Sequence, residues 1–282
     1  RAPSAGTIAG MPRPLISLLT DFGLRDPSAA IMRGVILGIA PDAELLDISH
    51  EVRKYRIRDG ALLLWCALPY LPVGIHVAVV DPGVGTARRA VALRTARGDV
   101  LVGPDNGLLL PATDRLGGIV GAAELRDPAY RLPVVSSSFH GRDIFAPAAA
   151  HLATGVAIEA LGPQVDPVTL VRLPIPDPIV APGELRAHVL YVDTFGNVKL
   201  TALAPDLPAA LGPLNPGDPL SARVDGRPVG LTWRTTFGDA APGEPLLYED
   251  SYGRLCVAVN QGDAAAALGL VEDQSISISR HS

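Results

Sequence analysis

No apolar stretch in the 282 residues reaches the roughly 20 needed to span a bilayer, because Arg, Asp, Glu or Pro interrupts each one. Membrane association is therefore not expected. Runs of Lys or Arg are also missing, and the formal net charge of -5 is spread along the chain, so nothing suits the counterion release that binds nucleic acid. Cysteine is scarce. Cys66 and Cys256 each lie inside an apolar run, where a reduced thiol behaves as a small buried hydrophobe, and a cytoplasmic protein without disulfides is expected. HExxH, CxxC and any clustered His/Asp/Glu spacing are absent, so neither a metal site nor a cofactor is expected. No GxGxxG follows the first apolar run, which disfavours a nicotinamide-dependent dehydrogenase. Arg1 to Pro14 have neither a basic start nor an apolar core of the signal-peptide type; they read as a tail, with Met11 as a possible native start.

Hydrophobic residues make up 48% and charged residues 19%, enough apolar surface for a globular chain whose length favours two domains. Leu15 to Thr20 reads as a buried strand, and Asp26-Pro27 opens a helix continued by Ile31, Val35, Ile36 and Ile39. Glu44 to Ile48 and Gly74 to Val80 read as strands with a helix, Arg58 to Cys66, between them. Val91 to Leu93 and Val100 to Val102 are further strands, and Asp143 to Leu152 is a helix closed by Gly155. Alternation of this kind predicts a parallel sheet covered on both faces. Four prolines between Leu173 and Gly183 remove backbone donors and predict extended chain without regular structure, a domain boundary. Beyond it come short runs at 185–192, 197–200, 221–224, 229–233 and 255–259, with Asp225-Gly226 as a hairpin turn. The expected organisation is an α/β domain over 15–172, a linker over 173–183 and a small antiparallel barrel over 184–282.

Polar clusters follow several of these strands, where open α/β sheets bind ligands. In Thr20-Asp21-Phe22-Gly23, Asp21 suits the two hydroxyls of a ribose, or an ordinary loop; Asp26, before Pro27 and Ser28, suits a helix cap. Asp81-Pro82-Gly83-Val84-Gly85-Thr86-Ala87-Arg88-Arg89 holds two glycines that permit a sharp turn, and Asp81 could pair with Arg88; a surface ion pair on a Gly-rich turn fits equally. Gly103-Pro104-Asp105-Asn106-Gly107 reads as a turn without chemistry. His76 in a strand and His151 in a helix read as structural, whereas His140, before Gly141 in a polar loop, is placed like a catalytic residue. Asp193-Thr194-Phe195-Gly196-Asn197 and Asp250-Ser251-Tyr252-Gly253 offer directional polar groups or two plain turns.

Taken in order, LLTDFG, DPGVGTARR, GPDNGL, FHGRDIFAPAAAHLA, VDTFGNV and DSYG resemble the S-adenosylmethionine hydroxide adenosyltransferases, relatives of fluorinases and chlorinases, over about Leu15 to Gly269. The resemblance implies a Rossmann-like N-terminal α/β domain, a C-terminal β-barrel domain, and a homotrimer with sites between the large domain of one subunit and the small domain of its neighbour. It also implies that Asp81, Arg88 and His140 form the catalytic set. Asp21, with Phe22, Asp26 and Ser28, would hold the nucleoside, while Asp193 and Asn197 would contact the methionine head group or adenine, with Ser251 nearby. Where halogenating relatives have aromatic and small hydroxyl residues around the halide, this chain has Asp81, His140 and Gly141, and a carboxylate there repels an anion. Lys199 and Val259 replace a Trp and an Arg of those relatives. The implied activity is attack of water on C5′ of S-adenosylmethionine, with His140 or Asp81 taking the proton. The alternatives are a chloride-dependent adenosyltransferase and a non-catalytic sensor of S-adenosylmethionine or adenosine.

Overall fold

The computed structural model describes residues 13–281; most of the N-terminal tail, Met11 included, lies outside them. The chain divides into two compact units that meet at Leu173 and Pro174. In the first unit the elements are β1 (Leu15–Thr20), α1 (Ser28–Ile39), β2 (Glu44–Ser49), α2 (Ile57–Ala67), β3 (Ile75–Val79), β4 (Ala90–Thr95), β5 (Val100–Pro104), α3 (Leu110–Arg115), β6 (Ile119–Glu124) and α4 (Ala146–Ala153). The sheet order is β2-β1-β3-β5-β4-β6.

Side chains alternate across this sheet as the pleat requires. Ile16 and Leu18 of β1 join Val77 and Val79 of β3 on one face, under Met32 and Ile36 of α1 and Phe145. Leu19, Ala78 and Val80 face the other way, against Leu64 of α2 and Leu108. Burying each such Leu or Ile side chain contributes about 1.5 to 3 kcal/mol, which is why the near-continuous apolar strands hold both helix layers.

The sheet is not wholly parallel as the alternation predicts. β1, β2, β3 and β5 pair in parallel, but β4 runs antiparallel to both β5 and β6. The reason is connection length: only 96–99 separate β4 from β5, a hairpin, whereas a parallel crossover needs a dozen or more residues. The helix expected over Asp143 to Leu152 is also divided, into a single π-turn at Gly141–Phe145 and then α4. Such π-turns occur often at functional sites.

Ser17, His76 and Asp99 form a file across the sheet, with Ser17 Oγ 2.7 Å from His76 Nδ1 and His76 Nε2 3.0 Å from Asp99 Oδ1. All three are 0% exposed, so the file is structural despite its resemblance to a hydrolytic triad. Burial alone would raise the Asp99 carboxyl, but hydrogen bonds from Arg97 and His76 hold it well below the usual range. His151 is structural too, edge-on to Tyr130.

The second unit contains β7 (Ile179–Ala181), β8 (Glu184–Val192), β9 (Val198–Leu203), α5 (Asp206–Leu211), β10 (Pro219–Val224), β11 (Arg227–Trp233), β12 (Pro245–Glu249), β13 (Arg254–Val259), α6 (Ala264–Leu268) and β14 (Ser275–Arg280). Within the Pro-rich segment the proline-free tripeptide Ile179–Ala181 forms a strand on β8, where none is predicted. Pairing runs β14-β10-β11-β12-β13-β9-β8, and β8 pairs again with β14, closing a seven-stranded barrel. Asp225 and Gly226, both at positive φ, make the expected hairpin between β10 and β11. The barrel departs from the expected antiparallel pattern at β11–β12, which are parallel through Thr232–Leu246 and Trp233–Leu247. The eleven residues 234–244 bring the chain back to the start of its neighbour. Leu185, Val189, Leu200, Leu231, Val257 and Ile278 fill the interior. Among the described residues no helix is long and apolar enough to cross a membrane.

Candidate functional site

Each unit carries a cavity of its own. In the first unit, a cavity of about 220 Å³ opens where β1 and β3 end; Asp21, Phe22, Asp81, His140 and Gly141 line it. Asp21 follows β1 directly and is nearly buried, with one carboxylate oxygen accepting the Tyr55 amide at 2.9 Å. Tyr55 presents that amide from a left-handed conformation, φ 66°, strained for a residue with a side chain. Phe22 lines the wall edge-on to Phe139, with centroids 5.7 Å apart.

Asp81, two residues past β3, pairs with Arg88 on the far side of the Gly-rich turn. Arg88 Nε donates to Asp81 Oδ1 at 3.1 Å and Arg88 Nη2 donates to Oδ2, and both side chains are more than nine-tenths buried. The second hydrogen of Nη2 is directed to His140 Nδ1, 3.0 Å away. Since a guanidinium only donates, Nδ1 must be the accepting nitrogen, which leaves the imidazole proton on Nε2. Burial, and next the Arg88 charge, push the His140 pKa below its ordinary value, so the ring is neutral at pH 7. Three residues from two loops thus form one connected set, in which Arg88 orients both partners.

Close packing between loops sets this geometry. Gly85 has φ 77°, and a Cβ there would lie 2.2 Å from the Ser137 carbonyl oxygen, so only glycine lets the Asp81 turn rest on the loop before His140. At Gly141 a Cβ would meet Met32 Sδ at 3.1 Å and the Phe22 ring at 3.2 Å, so a side chain there would press on the cavity wall. Asp143, fully buried, accepts the Ser136 amide at 2.8 Å and pairs with Arg142. Burial would raise its carboxyl, but these hydrogen bonds hold it below the usual range. The GPDNG turn serves the same end: Asp105 accepts from Arg89 and from the Val171 amide, and Asn106 Nδ2 donates to the Val80 carbonyl, steadying the chain just before Asp81.

The barrel unit holds a cavity of about 670 Å³ on its outer side, lined by Asp193, Asn197, Lys199, Asp250, Ser251 and Tyr252 together with further aromatic residues. Asp193 Oδ1 accepts the amides of Phe195 and Asn197, both at 2.9 Å, and Oδ2 accepts Asn197 Nδ2 at 3.0 Å. Asp250 Oδ1 accepts the Tyr252 and Arg254 amides, and Oδ2 takes Lys199 Nζ at 2.6 Å. Beneath, Tyr248 and Cys256 pack in a small apolar cluster, where burial pushes the Cys256 thiol up to about 12.

Of the residues singled out from sequence, Asp21, Phe22, Asp81, His140 and Gly141 line one cavity, with Arg88 behind it, and Asp193, Asn197 and Ser251 line the other. Asp26 and Ser28 line neither; Asp26 is exposed and accepts the Ser28 amide at 3.0 Å, but it is not the cap expected of it, because α1 begins at Ser28 behind Pro27 and no side chain caps it. Hydrogen bonds from the Ser28 side chain and then from its amide lower the Asp26 pKa. Sequence reasoning missed Lys54 and Tyr55, whose part depends on a backbone conformation, and Phe237 and Tyr248, which reach the second cavity from the 234–244 connection and from β12. No group of three or more His, Cys, Asp or Glu able to hold a metal ion occurs among the described residues.

A Rossmann-like sheet whose loops join a carboxylate, a guanidinium and a neutral imidazole beside a second carboxylate, in a chain that also carries a closed barrel, defines a two-unit protein with a polar cluster at the strand ends of its first unit. Family models described as the SAM hydroxide adenosyltransferase N-terminal and C-terminal domains match residues 16–162 and 187–277. The chain belongs to the SAM hydroxide adenosyltransferase family. A protein named (R)-S-adenosyl-L-methionine hydrolase from Salinispora tropica is 49% identical over 261 residues, 92% of this chain and 95% of that protein. A fluorinase from Nocardia brasiliensis is more distant, 29% identical over 293 residues, 94% of this chain and 97% of its own. The crystal structure of an uncharacterized conserved protein from Thermotoga maritima has a TM-score of 0.87 at 34% identity, covering 94% of this chain and 100% of that one.

Proposed function

We propose that this chain is a hydrolase that cleaves S-adenosyl-L-methionine with water at C5′, giving adenosine and L-methionine. The observation that carries the reading is the Asp81–Arg88–His140 set at the mouth of a cavity that also presents Asp21. The extensive identity to S-adenosylmethionine hydrolases supports it from a second direction. The step is a nucleophilic substitution. The water oxygen bonds to C5′ while the C5′–S bond breaks, its electron pair leaving with sulfur, so the sulfonium departs as a neutral thioether.

In this reading Asp21 accepts the ribose hydroxyls and fixes C5′ relative to the polar set. His140 does not serve as the base, because its Nδ1 accepts from Arg88 and its Nε2 already bears a proton; it donates through Nε2–H and orients the water. Asp81 keeps a lone pair on each oxygen beside the Arg88 bonds and takes the proton as the carbon–oxygen bond forms. The same carboxylate opposes a halide nucleophile, which favours water over chloride. The cluster has work beyond binding, which favours an enzyme over a sensor.

Asp193, Asn197 and Ser251 are assigned to the amino-acid and adenine ends of the substrate. A 220 Å³ cavity is small for such a ligand, since sites of this kind run from about 300 Å³ upwards. A homotrimer, with the barrel of one copy supplying the second part of each site, is part of the proposal. So is a cytoplasmic location, supported by two free buried thiols, and a reaction that needs no cofactor. Incubation with S-adenosylmethionine, with and without chloride, followed by nucleoside separation tests it: adenosine at a rate independent of chloride is expected, and 5′-chloroadenosine or no cleavage refutes it.

A further inference from the structure

β1 and β2 lie parallel but not in continuous register. Leu18 pairs with Asp47 and Leu19 with Ser49, so Ile48 is one residue too many on β2. A bulge of this kind is rare between parallel strands, and it re-aims the side chains beyond it. The residue it re-aims is His50, which leaves β2 turned onto Thr20, the last residue of β1, with His50 Nδ1 2.9 Å from Thr20 Oγ1. Both residues are buried, His50 4% and Thr20 0% exposed.

The polar atoms around this contact form one line. On the far side of the ring, His50 Nε2 lies 3.2 Å from Asp47 Oδ1, near enough for the carboxylate charge to favour the ring proton on Nε2, although the two are not aligned as a hydrogen bond. The other Asp47 oxygen accepts from Arg33 of α1. Nδ1 of the neutral ring is then the acceptor, and the Thr20 hydroxyl donates to it. With its hydrogen committed, Thr20 Oγ1 accepts the Phe22 amide at 3.2 Å. Backbone contacts run beside the line: the Gly23 amide donates to the His50 carbonyl at 2.7 Å and the Val52 amide to the Thr20 carbonyl at 3.3 Å. Asp21 thus sits between two residues, Thr20 and Phe22, that are tied together by one hydroxyl, and His50 orients that hydroxyl. Neither His50 nor Thr20 lines the cavity.

We infer that His50 is a positioning residue: acting through Thr20, it fixes the turn that aims the Asp21 carboxylate at the ribose diol. This rests on the proposed role of Asp21 in the hydrolase reading. The test is calorimetric binding of adenosine, and of 2′,3′-dideoxyadenosine, which lacks the diol, to the wild type and to His50→Leu, His50→Asn, His50→Gln, Thr20→Val and Asp21→Ala. The backbone contacts survive these substitutions, and thermal melting checks that each variant is folded. An asparagine carbonyl can take the place of Nδ1 and accept from Thr20, whereas a glutamine amide reaches the place of Nε2 instead. His50→Leu and Thr20→Val should each weaken adenosine binding about three-fold to ten-fold, the value of one hydrogen bond between neutral groups, and leave dideoxyadenosine within about two-fold of the wild type. His50→Asn should restore the lost affinity and His50→Gln should not. The double variant of His50→Leu with Thr20→Val should lose no more than either alone, because both remove the same contact. A histidine that only stabilises the fold would lower the melting temperature and treat the two nucleosides alike. Equal losses for both nucleosides, undiminished adenosine affinity in folded His50→Leu, or no recovery in His50→Asn overturns the inference and leaves the hydrolase reading standing, so long as Asp21→Ala weakens adenosine selectively. If Asp21→Ala leaves adenosine binding unchanged, the role of Asp21 fails and the inference fails with it. Should His50→Leu not fold, the isosteric Thr20→Val decides by the same comparison of nucleosides.

Discussion

Replacing His140 by alanine separates two accounts of how the water is handled. The side chain contributes one acceptor, Nδ1, to Arg88 Nη2, and one donor, Nε2–H, toward the cavity. Loss of a hydrogen bond to a charged group costs about 1.5 to 3 kcal/mol, and at about 1.4 kcal/mol per decade this corresponds to a ten-fold to hundred-fold fall in turnover. A general base would cost about 100-fold to 10,000-fold. His140→Gln discriminates further, because its amide can accept from Arg88 and donate to water but cannot act as a base; part of the lost rate should return. The pH profile follows the same logic. The His140 pKa lies below its ordinary 6.5, lowered by burial and then by Arg88, so the neutral ring that accepts from Arg88 persists down to mildly acid pH. Activity should be flat above about 6.5 and fall as the pH drops through the lowered pKa, and that limb should disappear in His140→Gln. The stability effect has the same sign: just below pH 6.5 the unfolded chain binds the proton first, so the site's contribution is lost as pH falls. The assay is adenosine release under single-turnover conditions from pH 5 to 8, with calorimetric urea titrations at each end. A loss above 1,000-fold in His140→Ala without recovery in His140→Gln, or a limb centred above 6.5, would refute the donor role.

Asp81→Asn should lower turnover by a further order or more, since the amide cannot take a proton; in a double-mutant cycle with His140→Ala the losses should be less than additive, and strict additivity would mean the two do not share a water. Asp21→Ala should weaken adenosine binding at least ten-fold by calorimetry, the value of a charge-assisted contact to the diol, and unchanged affinity would reduce Asp21 to a loop residue. Gly85→Ala forces a Cβ against the Ser137 carbonyl at positive φ and should cost about 1 to 3 kcal/mol of stability on denaturant titration, along with activity, as the Asp81 turn lifts from the His140 loop. Activity should survive prolonged chelator treatment, because Arg88 occupies both oxygens of Asp81 and no group of three or more metal-ligating side chains converges among the described residues; loss that zinc or magnesium restores would count against the mechanism.

Much of this protein was legible along the chain because the information is local. Leu15 to Thr20 and Gly74 to Val80 are so largely apolar that a strand buried on both faces is what accommodates them, and Asp225-Gly226 supplies the two positive φ angles that a tight hairpin requires. Asp81, Arg88 and His140 were identifiable by their motifs, and the short reach between Asp81 and Arg88 made their pairing readable. What depended on distant parts of the chain was not. The direction of β4 follows from a four-residue connection competing with the alternation of strands and helices, and the parallel β11–β12 pair from the path of 234–244. Tyr55 enters the site through a left-handed backbone that nothing in its side chain announces, and Lys199 faces a cavity because the register of β9 with β13 turns it outward beside Cys256. The protonation of His140 was decided by tertiary structure alone: a ring nitrogen 52 residues away in sequence meets a guanidinium that can only donate, and that contact places the imidazole proton on Nε2.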